Sequence, residues 1–314
     1  MKIGVIDLGT NTFNLLIAEK TGRTSFRILH SSKIAVKLVK GGFDKKELKT
    51  DAITRGVNAI EKFIQTSSQY HTDRISAYAT AAVRNAKNAG QFIKAIQDKF
   101  GIEVAILEGE REAEMVYYGV RNAVDIRSKV LIVDIGGGSS EFVIADRDQI
   151  YWKKSYKMGV AYLLDKFKPS DPLSIEEIEI ITNFFEEKLV EAFEETKRHN
   201  VEIMIGASGA FESFAAMIRG DEKFESETGK EPEAYTIDLM EFEDLSWRLV
   251  SSTLKERKKM KGLESMRIEF IVLAALLVKF LLEKTRIQTL IQSNFALKEG
   301  LMQELMESSG QNAP

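Results

Sequence analysis

The chain contains no cysteine and only three histidines among its 314 residues. Disulfide bonds and thiolate zinc sites are therefore excluded, and the absence of cysteine suits a reducing compartment. The histidines, His30, His71 and His199, lie far apart in the sequence. We expect each to be a surface or packing residue, which argues against a histidine-rich metal centre.

The chain also lacks a long hydrophobic run. The longest, Phe270–Val278, lies between Glu269 and Lys279 and falls short of the ~20 residues that span a bilayer. We expect this run to form a buried helix. The N-terminus enters a strand by Ile3, without the charged segment and apolar stretch of a signal peptide. These features predict a soluble, cytoplasmic protein that does not bind membranes.

An excess of positive charge is missing as well. Lysine and arginine number 44 against 47 aspartates and glutamates, which gives a formal net charge of −3. Nucleic-acid-binding proteins are more often strongly basic, so we expect no nucleic acid partner. The hydrophobic fraction of 44% is typical of a globular protein, and the length suffices for about two domains.

One turn occurs twice in this chain. Gly4–Ile17 and Val130–Ile144 each contain an apolar strand ending in aspartate, a turn rich in glycine, serine or threonine, and a second apolar strand. Glycine lets the backbone approach a ligand, and successive N–H groups in such turns bind anions. Asp7 and Asp134 offer the hard oxygen ligands that Mg²⁺ prefers. Either turn alone also fits an ordinary hairpin, but the repetition favours a clamp for phosphates and a metal ion.

Strand and helix signals alternate along the chain and restart near Lys129. Strands rich in Ile and Val, separated by longer amphipathic helices, indicate an α/β fold. The restart predicts two domains, residues 1–124 and 125–293. A long helix is predicted from Ser174 to His199, because Ser174 and Glu177 have the spacing of a capping box.

The later elements are less regular. A strand at Glu202–Ile205 is followed by the turn Gly206–Gly209, which opens a helix to about Arg219. Residues 220–233 are expected to form a loop. The remaining chain is expected to be helical except for a strand at Thr289–Gln292, and the tail beyond Ser308 is expected to fray.

Four segments resemble motifs of one enzyme family: Tyr78–Asn88, Leu107–Glu114, Asp134–Glu141 and Gly206–Gly209. Together they resemble the exopolyphosphatase/guanosine pentaphosphate phosphohydrolase family of the actin-like ATPase, sugar kinase and Hsp70 superfamily. The resemblance implies an α/β fold of two actin-like (ribonuclease H-like) domains with a ligand cleft between them. It also implies that a C-terminal helix, at about 294–314, joins the first domain.

Two segments depart from the family pattern. Arg267-Ile268-Glu269 stands where family members often have Arg-Ala-Asp, and Ser293–Gly300 varies the usual terminal motif. We expect both to be mild substitutions on helices away from the phosphate loops. The chain also ends before the histidine- and aspartate-rich helical domain of many family members, so it resembles the short two-domain form.

The resemblance assigns roles to the residues of these motifs. Hydrolysis of a phosphoanhydride needs a metal, charge neutralisation, a positioned water and a base. The implied Mg²⁺ ligands are Asp134, Glu141 and Asp7, with Glu141 also counted as catalytic. Arg84 is expected to grip a phosphate through two parallel hydrogen bonds. The expected phosphate ligands are the turn residues Gly9, Thr10, Asn11, Thr12, Gly136, Gly137, Gly138, Ser139, Ser140, Gly206, Ser208 and Gly209.

The base is the assignment that spacing leaves open. Glu108, Glu110, Glu112 and Glu114 crowd one helix start, where acids also complement the helix dipole. The resemblance selects Glu112 to orient and deprotonate the attacking water.

Two further features allow two interpretations each. Gly206–Gly209 either holds phosphates or a guanosine, or is a plain strand-to-helix turn. The basic cluster of Lys255, Arg257, Lys258, Lys259 and Lys261 either attracts a polyanion or is a solvated face.

Three functions are consistent with these residues. The leading hypothesis is a Mg²⁺-dependent hydrolase that removes the terminal phosphate of polyphosphate or guanosine pentaphosphate. The second is a superfamily kinase that uses ATP and needs an acceptor pocket. The third is a non-catalytic alarmone-binding sensor or actin-like polymer. The sequence does not rank the two hydrolase substrates, and a homodimer is the working expectation for the oligomeric state.

Overall fold

The structure is a computed structural model that describes residues 1–22, 25–39, 46–220 and 233–308. The chain forms two compact units. The first comprises Met1–Gly119 together with the segment that begins at Leu297, and the second comprises Val120–Ala296. The divisions expected from the sequence were 124/125 and 293/294. The observed division between Gly119 and Val120 falls inside a helix, Gly109–Ala123, where no change in composition marks it.

The first unit contains a five-stranded sheet in the order β3-β2-β1-β4-β5. β1 and β2 form an antiparallel hairpin, whereas β4 and β5 continue the sheet parallel to β1. The strands are β1 Lys2–Leu8, β2 Thr12–Lys20, β3 Phe26–Ala35, β4 Arg74–Ala79 and β5 Val104–Ile106. The helices that follow them are α1 Thr50–Gln69, α2 Ala81–Arg84, α3 Ala89–Phe100 and α4 Gly109–Ala123.

The core of the first unit lies between this sheet and helices α1 and α3. Phe13 of β2, Phe63 of α1 and Phe92 of α3 are almost fully buried there. Burying side chains of this size contributes about 1.5–3 kcal/mol each. Gly56 of α1 lies so close to the Phe92 ring that a Cβ would stand 2.8 Å from it. This packing fixes β1, and with it the position of the first Asp-Gly turn.

The second unit contains a six-stranded sheet in the order β10-β11-β9-β6-β7-β8. β6, β7 and β8 form an antiparallel meander, while β9 and β11 run parallel to β6. The strands are β6 Val130–Ile135, β7 Ser140–Ala145, β8 Ile150–Tyr156, β9 Ile203–Ala207, β10 Ala234–Ile237 and β11 Thr289–Ser293. The helices are α5 Val160–Phe167, α6 Ile175–Lys188, α7 Val190–Arg198, α8 Gly209–Arg219, α9 Leu239–Val250, α10 Leu254–Arg257 and α11 Ile271–Lys284.

The last described helix, α12 (Leu297–Ser308), belongs to the first unit and packs against β1 and β2. Gly300 of this helix lies against the carbonyl of Met115 in α4, where a Cβ would collide with the oxygen. Only glycine permits this close approach of two helix backbones. Glu299 is buried in the same region and forms an ion pair with Lys298.

The capping box at Ser174 is confirmed. The Ser174 side chain accepts from the Glu177 amide, and the Glu177 carboxylate accepts from the Ser174 amide. The single long helix expected to follow is wrong, because α6 and α7 are separated at Leu189. Leu189 is fully buried, and the break lets both helices turn apolar side chains toward the core.

Two other expectations for the second unit are wrong. Ala234–Ile237, expected to be helical, is an edge strand that pairs with β11. It contains Tyr235 and Thr236, which favour strands, but four residues are too few for a clear alternation. The segment between α10 and α11 consists mainly of turns instead of a helix. Most of the expected loop 220–233 and the expected frayed tail lie outside the described residues.

The apolar run Phe270–Val278 forms most of α11, which is buried and packs against α6 and α9. Among the described residues, no helix combines the length and the apolar character needed to cross a membrane.

Candidate active site

The two Asp-Gly turns have the same local geometry. In the first unit Asp7 lies directly opposite Asn14 across the β1–β2 ladder, and in the second Asp134 lies directly opposite Glu141 across β6–β7. The glycine two residues after each aspartate has no room for a side chain. A Cβ on Gly9 would stand 2.6 Å from the Thr12 carbonyl oxygen, and a Cβ on the matching glycine of the second turn would stand 2.8 Å from Ser139 O.

The carbonyl groups of the first turn are bound by the segment that follows β3. The backbone N–H of Leu38 donates to Thr10 O at 2.9 Å, and those of Val36 and Lys37 donate to Asn11 O at 2.8 and 2.9 Å. Three consecutive amides therefore hold this turn from one side.

The second turn is held in the same way by the start of α5. The Val160 N–H donates to Gly136 O at 3.0 Å, and the N–H groups of Ala161 and Tyr162 donate to Gly137 O at 2.9 and 3.1 Å. The residue before this helix is glycine because a Cβ at that position would collide with the backbone of the turn.

These contacts set the direction of the turn amides. In a planar trans peptide the C=O of one residue and the N–H of the next point in opposite directions. Because the carbonyls of Thr10 and Gly136 point toward their supporting segments, the N–H groups of Asn11 and Gly137 point to the other side of each turn. Both turns thus present backbone donors of the kind that bind phosphate oxygens.

The second turn carries two buried carboxylates. Asp134 is 8% exposed and Glu141 is 1% exposed, and directly opposite residues share one face of a sheet. The Ser208 hydroxyl donates to Asp134 Oδ1 at 2.5 Å, and the Ser155 hydroxyl donates to Glu141 Oε1 at 2.7 Å. Like charges directly opposite each other destabilise a sheet, so this arrangement is suited to a bound cation.

The carboxylate pair suits a magnesium ion that also binds phosphate and water, and does not suit a metal whose ligands all come from protein side chains. Among the described residues, no group of three or more histidine, cysteine, aspartate or glutamate side chains is arranged to hold a metal. Mg²⁺ is usually bound by one or two carboxylates together with phosphate oxygens and water. The donor set of Asp134 and Glu141 meets that requirement.

The carboxylate of the first turn has a different neighbour. Asn14 donates its Nδ2 hydrogen to Asp7 Oδ2 at 2.8 Å, so Asp7 faces a neutral amide instead of a second acid. Asp7 is also buried.

Arg84 and Glu112, which are distant in sequence, form an ion pair in the first unit. Arg84 Nη1 lies 2.9 Å from Glu112 Oε2, and both side chains are largely buried. Arg84 ends α2, which follows β4, and Glu112 lies in the first turn of α4, which follows β5. Because the carboxyl ends of parallel strands share one edge of a sheet, β1 brings Asp7 to this same edge.

Burial separates the four clustered glutamates. Glu108 and Glu110 are exposed and Glu114 is half-buried and paired with Arg111, whereas Glu112 is only 7% exposed. Nη1 of Arg84 donates to both the Glu112 carboxylate and the Leu107 carbonyl, and its Nη2 has no hydrogen-bond partner among the described residues.

The third glycine turn connects β9 to α8 at the carboxyl edge of the second sheet. A Cβ on Gly206 would collide with the Phe211 ring, and a Cβ on Gly209 would collide with the Arg267 guanidinium. The expectation that Arg267 lies away from the phosphate loops is therefore wrong. The turns before α11 fold this arginine back onto α8, where it pairs with Glu212 at 3.2 Å, and it also pairs with Glu264 of its own turn segment at 2.9 Å.

The basic cluster is not a uniform patch. Arg257 is 5% exposed, donates to the carbonyls of Ile268 and Ser252, and pairs with Asp171 at 2.7 Å. Arg257 therefore connects three loop segments and does not belong to an exposed surface that could bind a polyanion. The remaining members, Lys255, Lys258, Lys259 and Lys261, are exposed.

The histidines lie apart from the candidate site residues. His30 and His199 are partly buried and pack against Tyr70 and Tyr151, with ring centroids 5.1 Å apart in each pair, whereas His71 is exposed.

The site includes two features that were not expected from the sequence, Ser155 and the support given by the start of α5. Ser155 lies in a strand without any motif, and only its register with Glu141 connects it to the site. Gly159 directly before α5 was a detectable signal, since a glycine at a helix start often marks a close backbone approach.

Comparison with known proteins identifies the family of this chain. The sequence matches the Ppx/GppA phosphatase family over residues 16–309. A Haemophilus influenzae protein, named as a candidate exopolyphosphatase, is 25% identical over 304 residues, which cover 97% of this chain and 91% of that protein.

Solved structures show the same relationship. The crystal structure of an exopolyphosphatase from Cytophaga hutchinsonii is 32% identical and has a TM-score of 0.93, with 98% of each chain covered. The Aquifex aeolicus member of the Ppx/GppA family is 22% identical, with a TM-score of 0.79 over 100% of this chain and 99% of that one, and this likeness shows the fold alone. The expected fold of two actin-like α/β domains is confirmed, and the chain belongs to the Ppx/GppA phosphatase family.

Proposed function

We propose that this chain is a Mg²⁺-dependent hydrolase that releases the terminal phosphate of inorganic polyphosphate, with guanosine pentaphosphate as the alternative substrate. The proposal rests on the buried pair of Asp134 and Glu141, which lies beside a turn whose carbonyls are held by the start of α5 so that backbone N–H groups point to the other side. The similarity to an exopolyphosphatase from Cytophaga hutchinsonii favours polyphosphate as the first substrate to test.

The second unit would hold the charged part of the substrate. Asp134 and Glu141 would be ligands of the divalent cation. When bound, the cation would neutralise phosphate charge and polarise the phosphorus–oxygen bond under attack. The amides of Gly137 and Gly138 and the hydroxyls of Ser139 and Ser140 would bind the phosphate oxygens.

The first unit would supply the base, Glu112, and a positively charged side chain, Arg84. A water oxygen attacks the terminal phosphorus while Glu112 accepts one water proton, and the bridging phosphorus–oxygen bond breaks toward the shortened chain. Orthophosphate leaves, and the released chain end carries the electron pair of the broken bond. Arg84 orients the Glu112 carboxylate through Nη1 and offers Nη2 to a phosphate oxygen.

Phosphate release from polyphosphate, guanosine pentaphosphate and ATP, assayed side by side with Mg²⁺, tests the proposal. We expect orthophosphate from polyphosphate, guanosine pentaphosphate or both, and little from ATP. Release that requires ATP and a sugar or carboxylate acceptor would show a kinase instead. Tight binding of guanosine pentaphosphate without any turnover would show a non-catalytic sensor.

We also propose a cytoplasmic location and a homodimer in solution. The first is checked by cell fractionation and the second by light scattering coupled to size exclusion. A purely monomeric elution profile across the assay concentrations would remove the dimer from the proposal.

A further inference from the structure

Ser208 has a backbone conformation that serine rarely adopts. Its φ is 61° and its ψ is −171°, a region that is populated almost entirely by glycine because a Cβ is strained there. The neighbouring turn residues Gly206 and Gly209 show that glycine is used freely in this segment. A serine at a position whose backbone conformation favours glycine therefore requires a reason beyond the turn itself.

The hydroxyl of Ser208 provides that reason. It donates to Asp134 Oδ1 at 2.5 Å across two neighbouring parallel strands, because Ala207 and Asp134 are register partners in β9 and β6. A glycine would relax the backbone but would leave this carboxylate without the hydroxyl.

Glu141 has an equivalent contact that involves no strain. Ser155 is its register partner in β8 and donates to Oε1 at 2.7 Å from ordinary strand backbone. Each carboxylate of the buried pair thus accepts a hydrogen bond from one serine hydroxyl, and the backbone is strained at Ser208 but not at Ser155.

We propose that Ser208 is a positioning residue whose strained backbone is retained because its hydroxyl fixes Asp134 for cation binding. With Oδ1 held, rotation about the Cβ–Cγ bond is restricted and Oδ2 serves as the cation ligand. Hydrogen-bond partners of metal ligands typically change metal affinity by ~10–100-fold when they are removed. This inference rests on the divalent cation of the proposed function.

The test uses Mn²⁺ as the probe, with free ion measured by electron paramagnetic resonance, and melting temperatures in chelator. The variants are Ser208→Gly, which removes both hydroxyl and strain, and Ser208→Ala, which removes only the hydroxyl. Ser155→Ala removes the hydroxyl at the unstrained site. Ser246→Ala is the control, because that buried serine donates only within α9, to the Glu243 carbonyl.

We expect the Mn²⁺ dissociation constant to rise about tenfold in both Ser208 variants and in Ser155→Ala, with no change in Ser246→Ala. We also expect Ser208→Gly to melt several degrees above Ser208→Ala, since only the glycine relieves the strain.

Wild-type Mn²⁺ affinity in Ser208→Gly would overturn the inference, and so would a Ser208→Gly protein that melts at or below Ser208→Ala. A wild-type protein that binds no Mn²⁺ would instead overturn the metal requirement of the proposed function. The Mn²⁺ titration of the wild-type protein therefore distinguishes failure of the inference about Ser208 from failure of the proposed function.

Discussion

The first and second Asp-Gly turns share a backbone but differ in their side chains. Both have an aspartate at a strand end, a glycine two residues later, and carbonyls held by a following segment. Across the ladder, however, Asp7 faces Asn14 and Asp134 faces Glu141. The shared backbone suits phosphate binding in both units, whereas the paired acids suit a cation only in the second.

The difference extends to the neighbouring elements. In the first unit, the edge of the sheet that ends at Asp7 also carries the Arg84–Glu112 ion pair. In the second unit, the corresponding edge carries Ser208, whose hydroxyl donates a hydrogen bond to Asp134. We infer that the repeated fold divides the chemistry, with proton transfer assigned to the first unit and cation binding to the second.

Removing an acid from the second turn should have the largest effect. We expect Asp134→Ala or Glu141→Ala to lower the rate of phosphate release by roughly 10³-fold at limiting Mg²⁺, since cation binding is worth several kcal/mol in the transition state. Excess Mg²⁺ should restore part of the rate, and circular dichroism should show a folded protein. Asp7→Ala should cost only about tenfold, and an equal loss in both turns would contradict the division of roles.

Glu112→Gln tests the chemistry assigned to the first unit. Glutamine keeps the shape and still accepts a hydrogen bond from Arg84, but it does not take up a proton. We expect kcat to fall by about 10²-fold with KM little changed, as measured by steady-state kinetics. Glu110→Gln and Glu114→Gln are the matched controls and should stay within about twofold. If Glu112→Gln were fully active and Glu110→Gln inactive, the assignment of Glu112 as the base would be wrong.

Asn14→Glu would give the first turn the acid pair of the second. It removes the amide donor to Asp7 and sets a carboxylate directly opposite it, which we expect to cost about 1–3 kcal/mol of stability. Added Mn²⁺ should raise the melting temperature of this variant more than that of the wild type. If calorimetry shows no loss of stability and no Mn²⁺ dependence, the side chains opposite the aspartates do not decide where a cation binds.

Gly9→Ala and Gly136→Ala test what the two turns share. Each new Cβ would press on a backbone carbonyl, so we expect both variants to lose about 1–3 kcal/mol in urea unfolding. Gly90→Ala is the control, because that glycine lies in α3 and a Cβ there would meet no heavy atom within 4 Å. Unfolding midpoints that match the control would show that the turns have room to relax.

The sequence alone located both Asp-Gly turns, the capping box at Ser174 and the helix that starts after Ser208. These features depend on backbone preferences within a few residues, such as glycine at a close approach and serine three residues before glutamate. The same local signals failed for β10, a four-residue edge strand whose partner β11 lies far along the chain. They also failed at Leu189, where packing divides one predicted helix into two.

Which distant side chains meet depends on how the strands pair. Spacing left four glutamates equivalent, and only the parallel pairing of β4 and β5 brings Glu112 to Arg84. Likewise, the register of β6 with β9 brings Ser208 to Asp134, and the turns before α11 return Arg267 to Gly209. Local conformation is readable from sequence because its energetics involve near neighbours, whereas contacts between distant residues depend on strand order and register, which only the folded sheet establishes.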